Sequence, residues 1–296
     1  MAELVALGLA ADWLNAWLAA VGVTVLVPDV RLSWTDDPVP RARFTAPDGC
    51  DVAAAIAEAL PSADDVRSMA FDGPKQWMSH DDYRRCADRA RILHDDSLAV
   101  LATDLAEPAE KGLATGEFNV GVPKGITLSS RVASCADAAS TGGGDKRARV
   151  AATLEGRGER VVNNGLGFDY RRLAGPILGE TENLVDPVVE LLCFHGTLLF
   201  PTRGDGRRVR QRGWTVARTR HRFVWPTWSG PLDRWGVDAL LDLTYEAVTP
   251  NGSLRENGTD GLRRLAAWGV TGLYGLVPFA KYGSATTSGY AAERIA

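Results

Sequence analysis

Several things are scarce in this chain of 296 residues, and each shortage closes off a class of protein. The four cysteines, Cys50, Cys86, Cys135 and Cys193, occur without a CxxC pair or any zinc-like spacing. That pattern argues against a metal finger or a disulfide scaffold and for reduced thiols in a cytoplasmic setting. No run reaches the roughly 18 consecutive apolar residues that a membrane span requires, so no membrane partner is expected. The N-terminus, MAELVALGLAADWLNAWLAAVGV, is apolar, but it lacks a basic leader and carries Glu3, Asp12 and Asn15. It reads as the first core element rather than as a targeting segment. Lysine is also rare: five residues stand against 28 arginines, so the positive charge of this protein is guanidinium charge.

What is present fits a globular chain able to bury a sizeable core, with 45% hydrophobic and 24% charged residues. Leu9, Trp13, Leu14, Trp17 and Leu18 have helical spacing, so a helix is expected over 9–21, stopped by Gly22. A buried strand, VTVLV, is expected at 23–27. Alternation in VRLSW and RARFT predicts a hairpin over 30–34 and 41–45. Helices are expected at 51–60, at about 80–93 behind a Ser79–Asp82 capping box, and at about 97–106. From 107 to 149 glycine and proline loosen the pattern, and a tail of small polar residues from Lys281 reads as mobile. Pro187 opens an apolar helix over about 188–199, and further helices are expected from near Leu232 to Ala247 and over 261–270. The division that follows is an N-terminal α+β region (1–106), a loop-rich connection (107–149) and a C-terminal α+β region (150–296). Helices and hairpins without regular βα alternation favour an α+β fold of mixed helices and antiparallel hairpins, with an Arg-rich β-ribbon in the C-terminal half.

The ribbon is the segment RGDGRRVRQRGWTVARTRHR at 203–222. It carries eight arginines against one acid, Asp205, in a chain of net charge −4. The segment is therefore near +7 and the remainder near −11. A local reversal of that size suits a polyanionic partner, and guanidinium groups grip phosphate bidentately and stack on bases. Arg208, Arg210 and Arg212 alternate with Val209 and Gln211, as Arg218, Arg220 and Arg222 do with Thr219 and His221. On strands each triplet would share one face. Arg203 and Arg207 flank the Gly204-Asp205-Gly206 turn. Trp214 and Trp225 are the expected stacking rings of a surface for single strands or RNA. An acidic protein partner, or a solvated arginine hairpin, is the competing reading of the same charge.

Catalytic patterns are sparse. Gly142-Gly143-Gly144-Asp145-Lys146 lacks the phosphate-loop spacing, and Gly165-Leu166-Gly167 reads as a tight turn rather than a dinucleotide fingerprint. His80-Asp81 and His94-Asp95 raise a metal-dependent phosphoesterase. On one helix, however, they would lie about 21 Å apart, too far for a shared metal site. His195 beside Cys193 reads as a core histidine, since i and i+2 point apart on a helix. The chain is accordingly expected to be a binder with no cofactor, not an enzyme.

Four stretches in this order carry a resemblance: WLNAWLAAVGVTVLV from Trp13, GLGFDYRRLAGPI at 165–177, VVELLCFHGTLLFPTRGDG at 188–206 and RFVWPTWSGPL at 222–232. They are similar to the large and accessory subunit families of type I-G (formerly I-U) CRISPR effector (Cascade) complexes. Those families show an early apolar helix, a central turn with Trp where this chain has Phe168, and an apolar helix ending in Leu-Phe-Pro. The large subunits of this type are longer than 296 residues, which leaves a compact version or an accessory subunit. The resemblance implies a cytoplasmic antiviral ribonucleoprotein with other effector subunits, CRISPR RNA and target DNA as partners and no nuclease activity of its own. Guide pairing then reads sequence while the protein holds backbone.

Overall fold

The computed structural model describes residues 1–70, 77–106, 112–114, 116–118, 127–140, 145–167, 182–214, 223–247, 258–280 and 287–296. In chain order the first half contains β1 (Ala2–Ala10), α1 (Leu14–Leu26), β2 (Arg31–Trp34), β3 (Arg41–Ala46), α2 (Val52–Ala59) and α3 (Ala63–Ser68). It continues with β4 (Trp77–Met78), α4 (His80–Leu93), α5 (Ser97–Leu101), β5 (Leu113–Ala114), α6 (Leu128–Ser140) and α7 (Lys146–Leu154). The second half holds β6 (Val161–Val162), β7 (Leu184–Val185), α8 (Pro187–Thr197), β8 (Thr202–Gly204), β9 (Val209–Gln211) and β10 (Val224–Trp228). It closes with α9 (Arg234–Ala247), α10 (Gly258–Ala267), β11 (Val270–Ala280) and β12 (Thr287–Arg294). Among the described residues, two antiparallel three-stranded sheets, ordered β1-β3-β2 and β10-β11-β12, and three short antiparallel pairs make this an α+β fold, as the sequence predicted.

The centre is the crossing of α1 and α8. Every residue of α1 from Leu14 to Thr24 is buried, as is every residue of α8. A helix that is apolar all round belongs inside a core. Sequence pattern stopped the first helix at Gly22 and made 23–27 a strand, but the helix runs on to Leu26, and the Val27 amide donates to the Val23 carbonyl at 2.8 Å. Gly22 is a contact point, not a stop. A Cβ there would stand 1.9 Å from the Leu192 carbonyl oxygen, and one on Gly196 would stand 2.0 Å from that of Leu18. The two missing side chains let the backbones meet, and this packing overrides the strand preference of Val23-Thr24-Val25.

Three indoles tie the N-terminal elements to β10. Trp17 donates to the Pro226 carbonyl at 2.9 Å, Trp225 to that of Ala11 at 2.9 Å and Trp228 to that of Leu32 at 2.8 Å. The stretch expected as a loop-rich connection carries α6 and the start of α7. Leu128, Val132 and Cys135 join the same hydrophobic cluster as Trp17, Trp225 and Leu276. The core thus draws on all three of the expected regions.

Polar groups inside this core are used to fix turns. Glu190 is 1% exposed and accepts from Asn15 Nδ2 at 2.7 Å and from the Leu166 amide at 2.6 Å. Arg131 on α6 donates to the Leu166 carbonyl at 2.5 Å. The Gly165–Gly167 turn is therefore clamped between α6 and α8, and its two glycines take positive φ, +52° and +95°, which favours glycine.

The hairpin β2–β3 and helices α2, α4 and α9 fall close to where the sequence put them, with Ser79 accepting from the Asp82 amide as the expected cap. Helix α5 is shorter than expected, ending at Leu101, and the Thr103 hydroxyl then accepts from the Leu105 amide at 3.1 Å in a local turn. The polar tail is not a loose end: β12 pairs with β11 in register Gly275↔Glu293. Its small residues carry almost no strand signal, and the edge offered by β11 decides the conformation.

Candidate nucleic-acid interface

The arginine-rich segment begins as a hairpin, β8–β9, in register Thr202↔Gln211, Arg203↔Arg210 and Gly204↔Val209. The Arg203↔Arg210 pairing sets two guanidinium groups on one face. Asp205 builds the turn, accepting from the Arg207 amide at 3.0 Å and the Arg208 amide at 2.8 Å. The same carboxylate takes the Arg210 Nε–H at 2.7 Å. These backbone bonds first, and the Arg210 side chain after them, hold its carboxyl down to about 2. Gly206 sits at the tip with φ +85° and nothing within 4 Å of where a Cβ would be. The one acid of the segment is thus spent on the turn and on Arg210. Arg203, Arg207 and Arg208 are exposed and, among the described residues, make no side-chain ion pair.

The base of the hairpin is rigid. Gln211 is buried; its Nε2 donates to the Phe200 carbonyl at 2.7 Å, and its Oε1 accepts from the Glu117 amide at 2.7 Å. The Thr202 hydroxyl donates to the Val100 carbonyl, and the Gly206 amide to that of Leu105 at 3.0 Å. A charged tip on a hydrogen-bonded base presents its arginines at little cost in order.

Arg212 is a correction to the sequence reading. β9 spans Val209–Gln211, so the expected Arg208-Arg210-Arg212 strand face is not formed: Arg208 lies in the turn before the strand and Arg212 in the turn after it. Its side chain is only 6% exposed and pairs with Asp238 and with Asp242, at 2.9 Å to the latter, both on α9. It also donates to the Leu199 carbonyl and lies 5.5 Å over the Phe200 ring. Both terminal nitrogens are engaged inside the protein and the side chain is almost wholly enclosed, so this arginine anchors the hairpin and does not serve a ligand.

The two expected stacking rings are likewise unsuited. Trp225 is 0% exposed, stacked between Phe223 at 5.9 Å and Tyr274 at 6.0 Å. No base can reach it. Trp214 is half-buried in the same aromatic cluster, edge-on to Phe118 at 5.2 Å and tilted against Phe223 at 5.3 Å. It also pairs with Phe223 through an antiparallel bridge. Arg218, Arg220 and Arg222 lie outside the described residues.

A ring that the sequence reading passed over is Trp235, the second residue of α9. It is 71% exposed, with the Arg234 guanidinium 5.0 Å from its ring centroid. The available signal was its place in the first turn of an amphipathic helix, off the apolar stripe of Val237, Leu240 and Leu241.

The other chemical candidates do not assemble. His80 opens α4 and His94 caps its far end at φ 52°, which separates the two His-Asp pairs by the length of that helix. Asp95 is engaged by the amides of Ala70 at 2.7 Å and Ser97 at 2.8 Å. His195 is buried, and loss of hydration pushes it down to about 4, which keeps it neutral. Burial also pushes the Cys135 thiol well up. Among the described residues no group of three or more His, Cys, Asp or Glu side chains could hold a metal ion, and no helix is long and apolar enough to cross a membrane.

Comparisons with protein-family models, with curated proteins and with solved structures find no match to this chain.

Proposed function

We propose that this chain is a non-catalytic nucleic-acid-binding subunit, and that it serves an RNA-guided CRISPR interference complex of the type its four sequence stretches resemble. The observation that carries the binding role is the hairpin tip: Arg203, Arg207 and Arg208 project from a fixed base, and Asp205 is already occupied by the turn and Arg210. Three uncommitted guanidiniums on a rigid β-turn suit the phosphate backbone of guide RNA or target DNA. The acidic remainder of the chain disfavours general adhesion to nucleic acid and concentrates contact at this tip.

The test is the salt dependence of binding. The full-length chain is titrated with a labelled single-stranded oligonucleotide over a series of salt concentrations, beside the variant Arg203→Ala/Arg207→Ala/Arg208→Ala. Each lost phosphate contact on a single strand lowers the slope of log K against log[salt] by about 0.7, so the triple variant should lose about 2. The exposed positions keep thermal stability near that of the parent. An unchanged slope would remove the reading. Stoichiometric capture of a partner protein through these arginines after nuclease treatment would replace it with an acidic-partner scaffold.

A further inference from the structure

We propose that Trp235, backed by Arg234, is the base-stacking platform of this surface; the proposal rests on the hairpin being a nucleic-acid contact. A single exposed apolar side chain is ordinary on a protein surface. Two relations set Trp235 apart.

The first is position. Arg212, at the foot of the hairpin, is bound to Asp238, and Asp238 lies three residues after Trp235 on α9. Side chains at i and i+3 of a helix stand about 5–6 Å apart at Cβ and lean towards the N-terminus. The ring is therefore about one helical turn from the carboxylate that anchors the foot of the hairpin.

The second is the cation. Arg234 lies 5.0 Å from the ring centroid, while 71% of Trp235 remains in solvent. A guanidinium against an open indole gives a stack to which a nucleobase can add, with cation–π attraction behind the ring and positive charge beside the phosphate. The two rings expected from sequence, Trp214 and Trp225, are taken up by Phe118, Phe223 and Tyr274. Because every base has a π face, the platform accepts any sequence. It belongs to a single strand, whose bases are free to stack, rather than to a duplex.

Stacking and phosphate pairing differ in their response to salt, and the experiment uses that difference. The full-length chain and the variants Trp235→Ala and Trp235→Phe are titrated with labelled oligo(dT) and oligo(rU) of about 12 nucleotides, within the site sizes single-strand binders cover. The expected result for Trp235→Ala is an affinity about 5- to 100-fold lower at every salt concentration, with the slope unchanged, because a stacked base releases no counterions. Trp235→Phe should recover most of the loss. The arginine triple variant, by contrast, should change the slope. Parental affinity in Trp235→Ala, together with a flattened slope in the arginine variant, would overturn the platform and leave the hairpin reading standing. Absence of single-strand binding by the parent chain overturns both. Parental affinity for the oligonucleotides combined with loss of a partner subunit would assign Trp235 to a protein contact and overturn the platform as well.

Discussion

At the α1–α8 crossing every side chain is committed inward, whereas a few residues further along the chain the β8–β9 hairpin turns three guanidiniums outward. The crossing is specified by what is missing, the Cβ atoms of Gly22 and Gly196, and tolerates no added atom. The hairpin is specified at its base by Gln211, Thr202 and Arg212, and its turn is tied back through the Gly206 amide to the Leu105 carbonyl while the Arg207 and Arg208 side chains face solvent. Arg212 and Arg208 make the contrast within one residue type. They are four positions apart in one run, yet the first is enclosed by two carboxylates, a carbonyl and a ring while the second faces solvent. Charge density in a sequence therefore identifies a surface only after each cation's partners are known.

The largest effect should come from filling the crossing. Gly22→Val or Gly196→Val places side-chain atoms where even a Cβ would stand about 2 Å from a backbone carbonyl oxygen. A backbone cannot move aside as the end of a flexible side chain can, so a loss on the order of 3 kcal/mol or more is expected, read by urea unfolding. If either variant unfolds at the parental midpoint, the crossing is not the tight centre described.

Arg212→Ala should come next. It leaves the Leu199 carbonyl and Phe200 uncovered, but Asp238 and Asp242 are partly exposed and can rehydrate. The expected loss is about 2 kcal/mol rather than the greater cost of a fully buried pair. Arg208→Ala in the same assay should stay within about 0.5 kcal/mol. Equal losses for the two would erase the distinction between anchor and tip.

Much of the fold could be read in the sequence where local pattern and tertiary demand agree. The β2–β3 hairpin, the Ser79-capped α4 and the helix opened by Pro187 each follow from residues within a few positions of one another. The failures occur where a distant partner decides. Val23–Leu26 is helical because Gly196, far along the chain, accepts the backbone of Gly22, and β12 is a strand because β11 presents an edge. The site shows the same division. Period-two alternation pointed to the strand β9 and Gly204-Asp205-Gly206 to its turn, but the partner strand β8 carried no such pattern, and no sequence signal could show that Asp238 and Asp242 would claim Arg212. Nor could it show that Trp225 would be enclosed by Phe223 and Tyr274 while Trp235 stayed outside. Aromatics next to cations in sequence suggest a shared surface. Strand alternation buries such rings as readily as it exposes them.

The smallest expected effect bears most directly on the tip. Asp205 has two tasks, accepting the Arg207 and Arg208 amides and pairing with Arg210. Asp205→Asn separates them, because an asparagine side-chain oxygen can accept the same two amides and keep the turn while the negative charge is gone. Arg210 is then released to a phosphate. The slope of log K against log[salt] on a single strand should steepen by up to about 0.7, with stability nearly unchanged at neutral pH. The parent's Asp205 carboxyl, depressed to about 2, is charged in the fold throughout the neutral and mildly acid range. Its support for the turn is present above the ordinary carboxylate value and is lost only as pH falls through about 2. In Asp205→Asn that acid-dependent loss disappears. If Asp205→Asn instead binds more weakly at every salt concentration, the hairpin's shape rests on the Asp205–Arg210 ion pair rather than on the turn's hydrogen bonds. The fixed base and the free tip would then be a single coupled unit.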